Sequence, residues 1–164
     1  MRHVMRDIGI GSVIAVAIGA IVATSPAAGA DLTDSRLKDI AMQIVSSAEN
    51  STLNWKAQYE YIEDIKDGRG FTAGPVGFCS GTGDMLEVVE RYTEASSDNV
   101  LARYLPALRQ VNGTDSHEGL DPDFTGYWQT AAEDPLFRQA QDAEIDELYF
   151  NPAVSQVKSD GLQA

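Results

Sequence analysis

The sequence predicts an α+β fold, predominantly α, with one small β region near residues 66–80. Two observations carry this. Apolar residues recur at spacings of three and four, as in Leu37, Ile40, Ala41, Ile44, Val45 and Ala48, which is the period of a helix with one buried stripe. Residues 66–78 break that pattern, because four glycines and Pro75 alternate there with aromatic and β-branched side chains, as in short strands joined by tight turns.

Residues 1–30 read as a secretory leader. Arg2, His3 and Arg6 precede an apolar run from Ile8 to Val22, and Ala28-Gly29-Ala30 supplies a small-residue cleavage site. Gly9, Gly11 and Gly19 interrupt the run, which is shorter than the roughly 20 apolar residues of a spanning helix. Cleavage after Ala30 is therefore expected, giving a secreted chain free of the membrane.

The first helix begins near Thr33 or Asp34 as N-cap and carries the stripe from Leu37 to Ala48. At 100° per residue Glu49 falls beside that stripe, so its carboxyl is expected at the rim of the core, where partial burial favours the protonated form. Asn50-Ser51-Thr52 ends the helix, and Trp55 to Ile65 is predicted as a second one. Asp67 before Gly68 is a common turn pair, so an Asx turn accounts for it as well as catalysis does. Asp84 opens a third helix, where an acid complements the helix dipole. A fourth helix is predicted over Asp98–Val111, broken or kinked at Pro106. After a loop to Pro122, a fifth helix covers Tyr127–Phe137 and continues with a kink near Pro135 to Phe150. Asn151-Pro152 then punctuates, and a last helix starts at Ala153.

Without the leader, the chain holds 10 basic and 24 acidic side chains, a formal charge near −14. Such a surface repels nucleic acid and anionic lipid; it serves either to keep a secreted chain soluble or, as an acidic cleft, to attract a polycation. Cys79 is the only cysteine and reads as a small buried hydrophobe. His3 and His117 offer neither a Cys/His pair nor a zinc cluster, so no metal or other cofactor is expected. The Gly-rich run lacks the Gly-Lys-Ser/Thr of a phosphate cradle.

Glycosidic cleavage needs two carboxyl groups in opposite protonation states, and Glu49 and Asp67 have contrasting surroundings. On pattern alone the pairing is weak, because so many acids produce many pairs. Read as a string, however, Ser46-Ser47-Ala48-Glu49-Asn50-Ser51, Trp55-Lys56-Ala57-Gln58-Tyr59, Asp67-Gly68-Arg69-Gly70-Phe71-Thr72 and Gly77-Phe78-Cys79-Ser80-Gly81-Thr82-Gly83-Asp84 closely resemble the bacterial chitosanases of glycoside hydrolase family 46. The resemblance runs on through Tyr104-Leu105-Pro106-Ala107-Leu108 and Tyr149-Phe150-Asn151-Pro152-Ala153-Val154-Ser155-Gln156.

That resemblance implies a lysozyme-like, two-lobed enzyme that hydrolyses chitosan with inversion. It implies Glu49 as general acid, Asp67 as general base and Thr72 as the hydroxyl that orients the attacking water. Asp84 corresponds to an acid that pairs with a glucosamine ammonium, and Ser51, Tyr61 and Arg69 to positions lining the cleft. Trp55 and Trp128 are expected in the core. Residues 31–164 correspond to the N-terminal part of the catalytic domain, with the second lobe incomplete, and a monomer is expected. The competing expectations are a silent truncated fragment or polycation-binding module, and a lysozyme-like hydrolase of another aminosugar polymer.

Overall fold

The computed structural model describes residues 34–161, and the leader predicted over residues 1–30 lies outside them. Asp34 accepts from the amides of Arg36 and Leu37 and so caps the first helix, α1 (Ser35–Asn50). Ser51 closes α1 in the left-handed conformation, φ 54°. The buried side of α1 is not the predicted one. Met42 and Ser46 are buried, whereas Ile40, Ile44 and Val45 are exposed. Ile44 lies about 200° around the helix from Met42, so periodicity locates the helix but assigns its stripe to the wrong side.

The predicted second helix is a 3-10 helix over Trp55–Glu60 followed by a strand. The chain turns extended at Tyr61, ψ 132°, and its carbonyl accepts from the Gly74 amide at 2.9 Å. Strand β1 (Ile62–Glu63) pairs antiparallel with β2 (Thr72–Ala73), which pairs antiparallel with β3 (Phe78–Cys79). Thr72 stands opposite Glu63 on one side and Cys79 on the other. Gly81 follows, packed so closely that a β-carbon would strike the carbonyl oxygens of Thr114 and Arg69.

Helix α2 (Asp84–Ala95) supplies the centre of the core, with Met85, Val88 and Val89 fully buried. Pro106 breaks the predicted fourth helix. Ala102–Tyr104 forms a 3-10 turn and α3 (Leu105–Val111) begins just before the proline, where a missing amide is harmless. Helix α4 (Phe124–Ala131) starts ahead of the predicted Tyr127. Asp134 accepts from the Leu136 amide at 2.9 Å, and Pro135 takes the first position of α5 (Pro135–Ile145), so this proline starts a helix rather than kinking one. Asn151-Pro152 does not punctuate. Helix α5 runs through a π-helical segment (Asp146–Phe150) into α6 (Asn151–Ser159), and the Asn151 amide reaches back to the Asp146 carbonyl. That wider turn relieves the clash a proline ring makes with the carbonyl four residues earlier.

Trp128 is fully buried and packs edge-on against Phe137, ring centroids 4.8 Å apart. Its Nε1 and the Nε2 of buried Gln141 each donate to the Tyr59 carbonyl at 3.1 Å. Trp55 is also buried and donates to Asp39 at 2.9 Å, so both tryptophans belong to the core as expected. None of the described helices is long and apolar enough to cross a membrane.

Candidate active site

Two consecutive Asx turns build the segment between β1 and β2. Asp64 Oδ1 accepts from the Lys66 amide at 2.8 Å, and Asp67 Oδ1 accepts from the Arg69 amide at 3.1 Å. Gly68 between them has φ +86° with open space where a β-carbon would be, so conformation rather than crowding demands a glycine. The Arg69 guanidinium then folds back, with Nε at 2.8 Å and Nη2 at 2.5 Å from Asp67 Oδ2. Hydrogen bonds from that guanidinium, against a smaller opposing cost of burial, hold the Asp67 carboxyl below the usual carboxylate range. Asp67 is therefore an exposed carboxylate with its charge fixed.

Thr72 is only 7% exposed, and its Oγ1 lies 3.6 Å from the sulfur of Cys79. Cys79 is fully buried, as expected, and donates to the Gly77 carbonyl at 3.2 Å. Asp84 both starts α2 and ties down the strand before it. Its Oδ1 accepts from the Cys79 amide at 2.9 Å, the Thr82 hydroxyl at 2.6 Å and the Met85 amide at 3.1 Å. Oδ2 makes no hydrogen bond among the described residues. Asp67, and more weakly Asp84, keep Arg69 protonated.

Glu49 lies on the last turn of α1, and the expectation that it sits at the rim of the core is corrected: it is exposed. Glu49 lies seven residues after Met42, about 20° from it around the helix, so it is on the buried side of α1 but on its last turn, where that side opens onto a groove. Glu49 lines this groove of about 410 Å³ with Met42, Val45, Val76, Tyr149 and Val154. Next to it, Asn50 Nδ2 donates to the Pro75 carbonyl at 3.3 Å, fastening the end of α1 to the β2–β3 turn. Ser51 is exposed at the cap of the same helix.

Tyr149 is not singled out by sequence reasoning, yet it joins the two halves of this region. It lines the Glu49 groove, and its phenol is pushed up first by burial and then by the charge of Asp84. The π-helical segment aims it there, and a one-residue widening of a turn leaves no periodic signal to read. Tyr61 goes elsewhere: it lines a separate polar groove with Glu60, Glu63 and Gln129, and burial followed by Glu63 pushes its phenol up. The structure thus groups Asp67, Arg69, Thr72 and Asp84 around the small sheet, with Glu49 and Ser51 at the adjoining end of α1.

A carboxylate fixed as an anion beside solvent, a second carboxyl on an apolar groove and one unbonded oxygen on Asp84 suit a cationic ligand that also carries apolar surface. The family model for glycosyl hydrolase family 46 matches residues 43–164. A chitosanase of Streptomyces sp. is 62% identical over 141 residues, covering 86% of this chain and 51% of the relative. A chitosanase of Nocardioides sp. is 64% identical over 132 residues, covering 80% of this chain and 48% of the relative. The solved co-crystal structure of chitosanase OU01 with substrate is 57% identical and superposes with a TM-score of 0.78, over 80% of this chain and 56% of that one. The chain thus spans about half the length of the curated relatives it matches.

Proposed function

The chain belongs to glycosyl hydrolase family 46, and from that premise we propose that it acts as a secreted endo-chitosanase, cutting β-1,4 bonds between glucosamine units with inversion. The observation that carries this reading is the Asp67–Arg69 pair, which keeps one exposed carboxylate ionised beside a sheet and an acid-lined approach. Asp67 is the base that takes a proton from the attacking water, and the Thr72 hydroxyl orients that water. Glu49 is the acid that protonates the leaving oxygen. A glucosamine ring seated over the Glu49 groove excludes water from it, and desolvation favours the neutral, proton-donating form of a carboxyl. Inversion requires room for a water between base and sugar, a carboxyl separation of roughly 6.5–9.5 Å. Asp84 meets a glucosamine ammonium with its free oxygen, Arg69 and Ser51 line the path of the chain, and Tyr61 is assigned to a more distant part of that path, in the separate groove it lines. The formal charge of −13 over the whole sequence favours such a cationic polymer.

Release of reducing ends from fully deacetylated and fully acetylated polymer tests the substrate, and faster cutting of the acetylated polymer would transfer the reading to another aminosugar hydrolase. Glu49→Gln and Asp67→Asn each abolish turnover while leaving binding of glucosamine oligomers nearly intact; retention of most of kcat removes that residue from the mechanism. Proton NMR of the first product reads inversion, and a β anomer refutes it. The exposure of Glu49 favours one second reading, a polycation-binding module without turnover. Oligomer binding with no new reducing ends from the unaltered chain would establish it.

A further inference from the structure

The turn that carries Asp67 is held by a side chain that the proposed reaction leaves unused. His117, from the loop between α3 and α4, lays its ring flat on Phe71, centroids 3.9 Å apart and planes within 11°. Its Nε2 is 3.3 Å from Asp64 Oδ2, and its Nδ1 is 3.5 Å from Asp121 Oδ2 in its own loop. Asp64 and Phe71 are the two stems of the segment whose middle is Asp67, so one imidazole touches both.

Each stem leads directly to the site. Asp64 holds Lys66 through its amide at 2.8 Å and its Nζ at 2.5 Å, and Lys66 has a left-handed backbone, φ 62°, that side chains larger than glycine rarely adopt. Phe71 donates its amide hydrogen to the Ser80 hydroxyl at 3.0 Å and precedes Thr72. Behind the turn, Asp64, Lys66, Gly68, Asp115 and His117 surround an open cavity of about 460 Å³, so the turn has room to relax if the ring is removed.

We propose that His117 is a positioning residue, wedged between Asp64 and Phe71 so that the Asp67–Arg69 turn keeps the orientation in which the guanidinium grips the carboxylate. The role assigned to this orientation rests on the reading of Asp67 as the base, but its test does not require turnover.

In isotope-labelled chain, the carboxyl ¹³C shift of Asp67 is titrated, and hydrogen exchange is followed at the Gly81 amide, which bonds the Arg69 carbonyl at 2.9 Å. His117→Ala is expected to raise the Asp67 midpoint by about half a pH unit or more toward its ordinary value, and to speed Gly81 exchange about tenfold relative to the Trp128 amide in the core. His117→Phe keeps the stacking face and lacks both ring nitrogens, so it falls between the two. An unmoved Asp67 midpoint in both variants, or equal acceleration at Gly81 and Trp128, overturns the proposal. If His117→Ala does not fold, His117→Phe and Asp64→Asn are measured by the same titration and exchange, and an unmoved Asp67 midpoint in both again overturns it. Titration of the unaltered chain with glucosamine oligomers runs alongside; absence of binding counts against the substrate reading alone.

Discussion

Replacing Arg91 by Met should weaken the protein in a way that depends on pH. Arg91 projects from α2 toward α5, where its Nε donates to Glu144 Oε2 at 2.7 Å while its Nη2 meets Glu147. Glu144 is 2% exposed, and burial pushes its carboxyl up against the opposing hydrogen bond from Arg91. The Glu147 arm is a surface contact worth about 0–1 kcal/mol, but stripping the partner from a buried charge costs up to about 3–5 kcal/mol. Because the Arg91 side chain is itself 33% exposed, solvent screens part of that cost. We expect about 2–3 kcal/mol at pH 8, or roughly 10 °C in Tm for a domain of this size. A carboxyl whose folded value is raised is favoured in its neutral form, so the penalty is small at low pH and grows as pH rises through that raised value. Urea denaturation followed by circular dichroism at pH 5 and pH 8 measures this. The double variant Arg91→Met/Glu144→Gln, which leaves a neutral amide in place of the charge, should recover more than half of the loss at pH 8. A loss below about 1 kcal/mol at pH 8, or one equal at both pH values, would refute the reasoning.

Other substitutions probe the remaining links. Trp128→Phe removes a donor to the Tyr59 carbonyl and part of a fully buried ring; Gln141 keeps that carbonyl satisfied, so thermal unfolding should show a loss of about 2 kcal/mol and not the larger cost of an orphaned acceptor. Arg69→Met removes the main cause of the lowered Asp67 value, so its NMR titration midpoint should move up toward about 3.9; an unchanged midpoint would show that the Asx turn alone sets it. Binding of glucosamine oligomers, measured by calorimetry, should weaken steeply between about 0.05 and 0.5 M salt, since the screening length falls below about 10 Å over that range. Salt-independent binding would argue against charge as the basis of recognition.

Much of the fold is legible in the sequence because helices and turns are local. The Asp34 cap, the Asp84 start of α2 and the Gly-rich strands around Thr72 each follow from residues within a few positions of one another. What the sequence hides depends on distant partners. Counting apolar residues assigns a stripe to α1, but which side is buried depends on the elements that pack there, and the core takes Met42 and Ser46. Pro135 and Pro152 look like interruptions, although one sits harmlessly at a helix start and the other follows a widened turn. Asp67 in its turn can be read directly, since its partner Arg69 is two residues away. The link from His117 to Asp64 and Phe71 cannot, because it spans the chain between two loops.

The passage from α5 into α6 shows how direction is encoded by counting. Inserting one residue into a helical turn rotates everything beyond it by about 100° relative to what precedes it. In this chain the extra residue falls just before Pro152, where the widened turn makes room for the proline ring. A single deletion at Glu147 or Leu148 would therefore turn Tyr149 by about 100° relative to α5 and carry its ring out of the groove it shares with Glu49, with no other side chain changed.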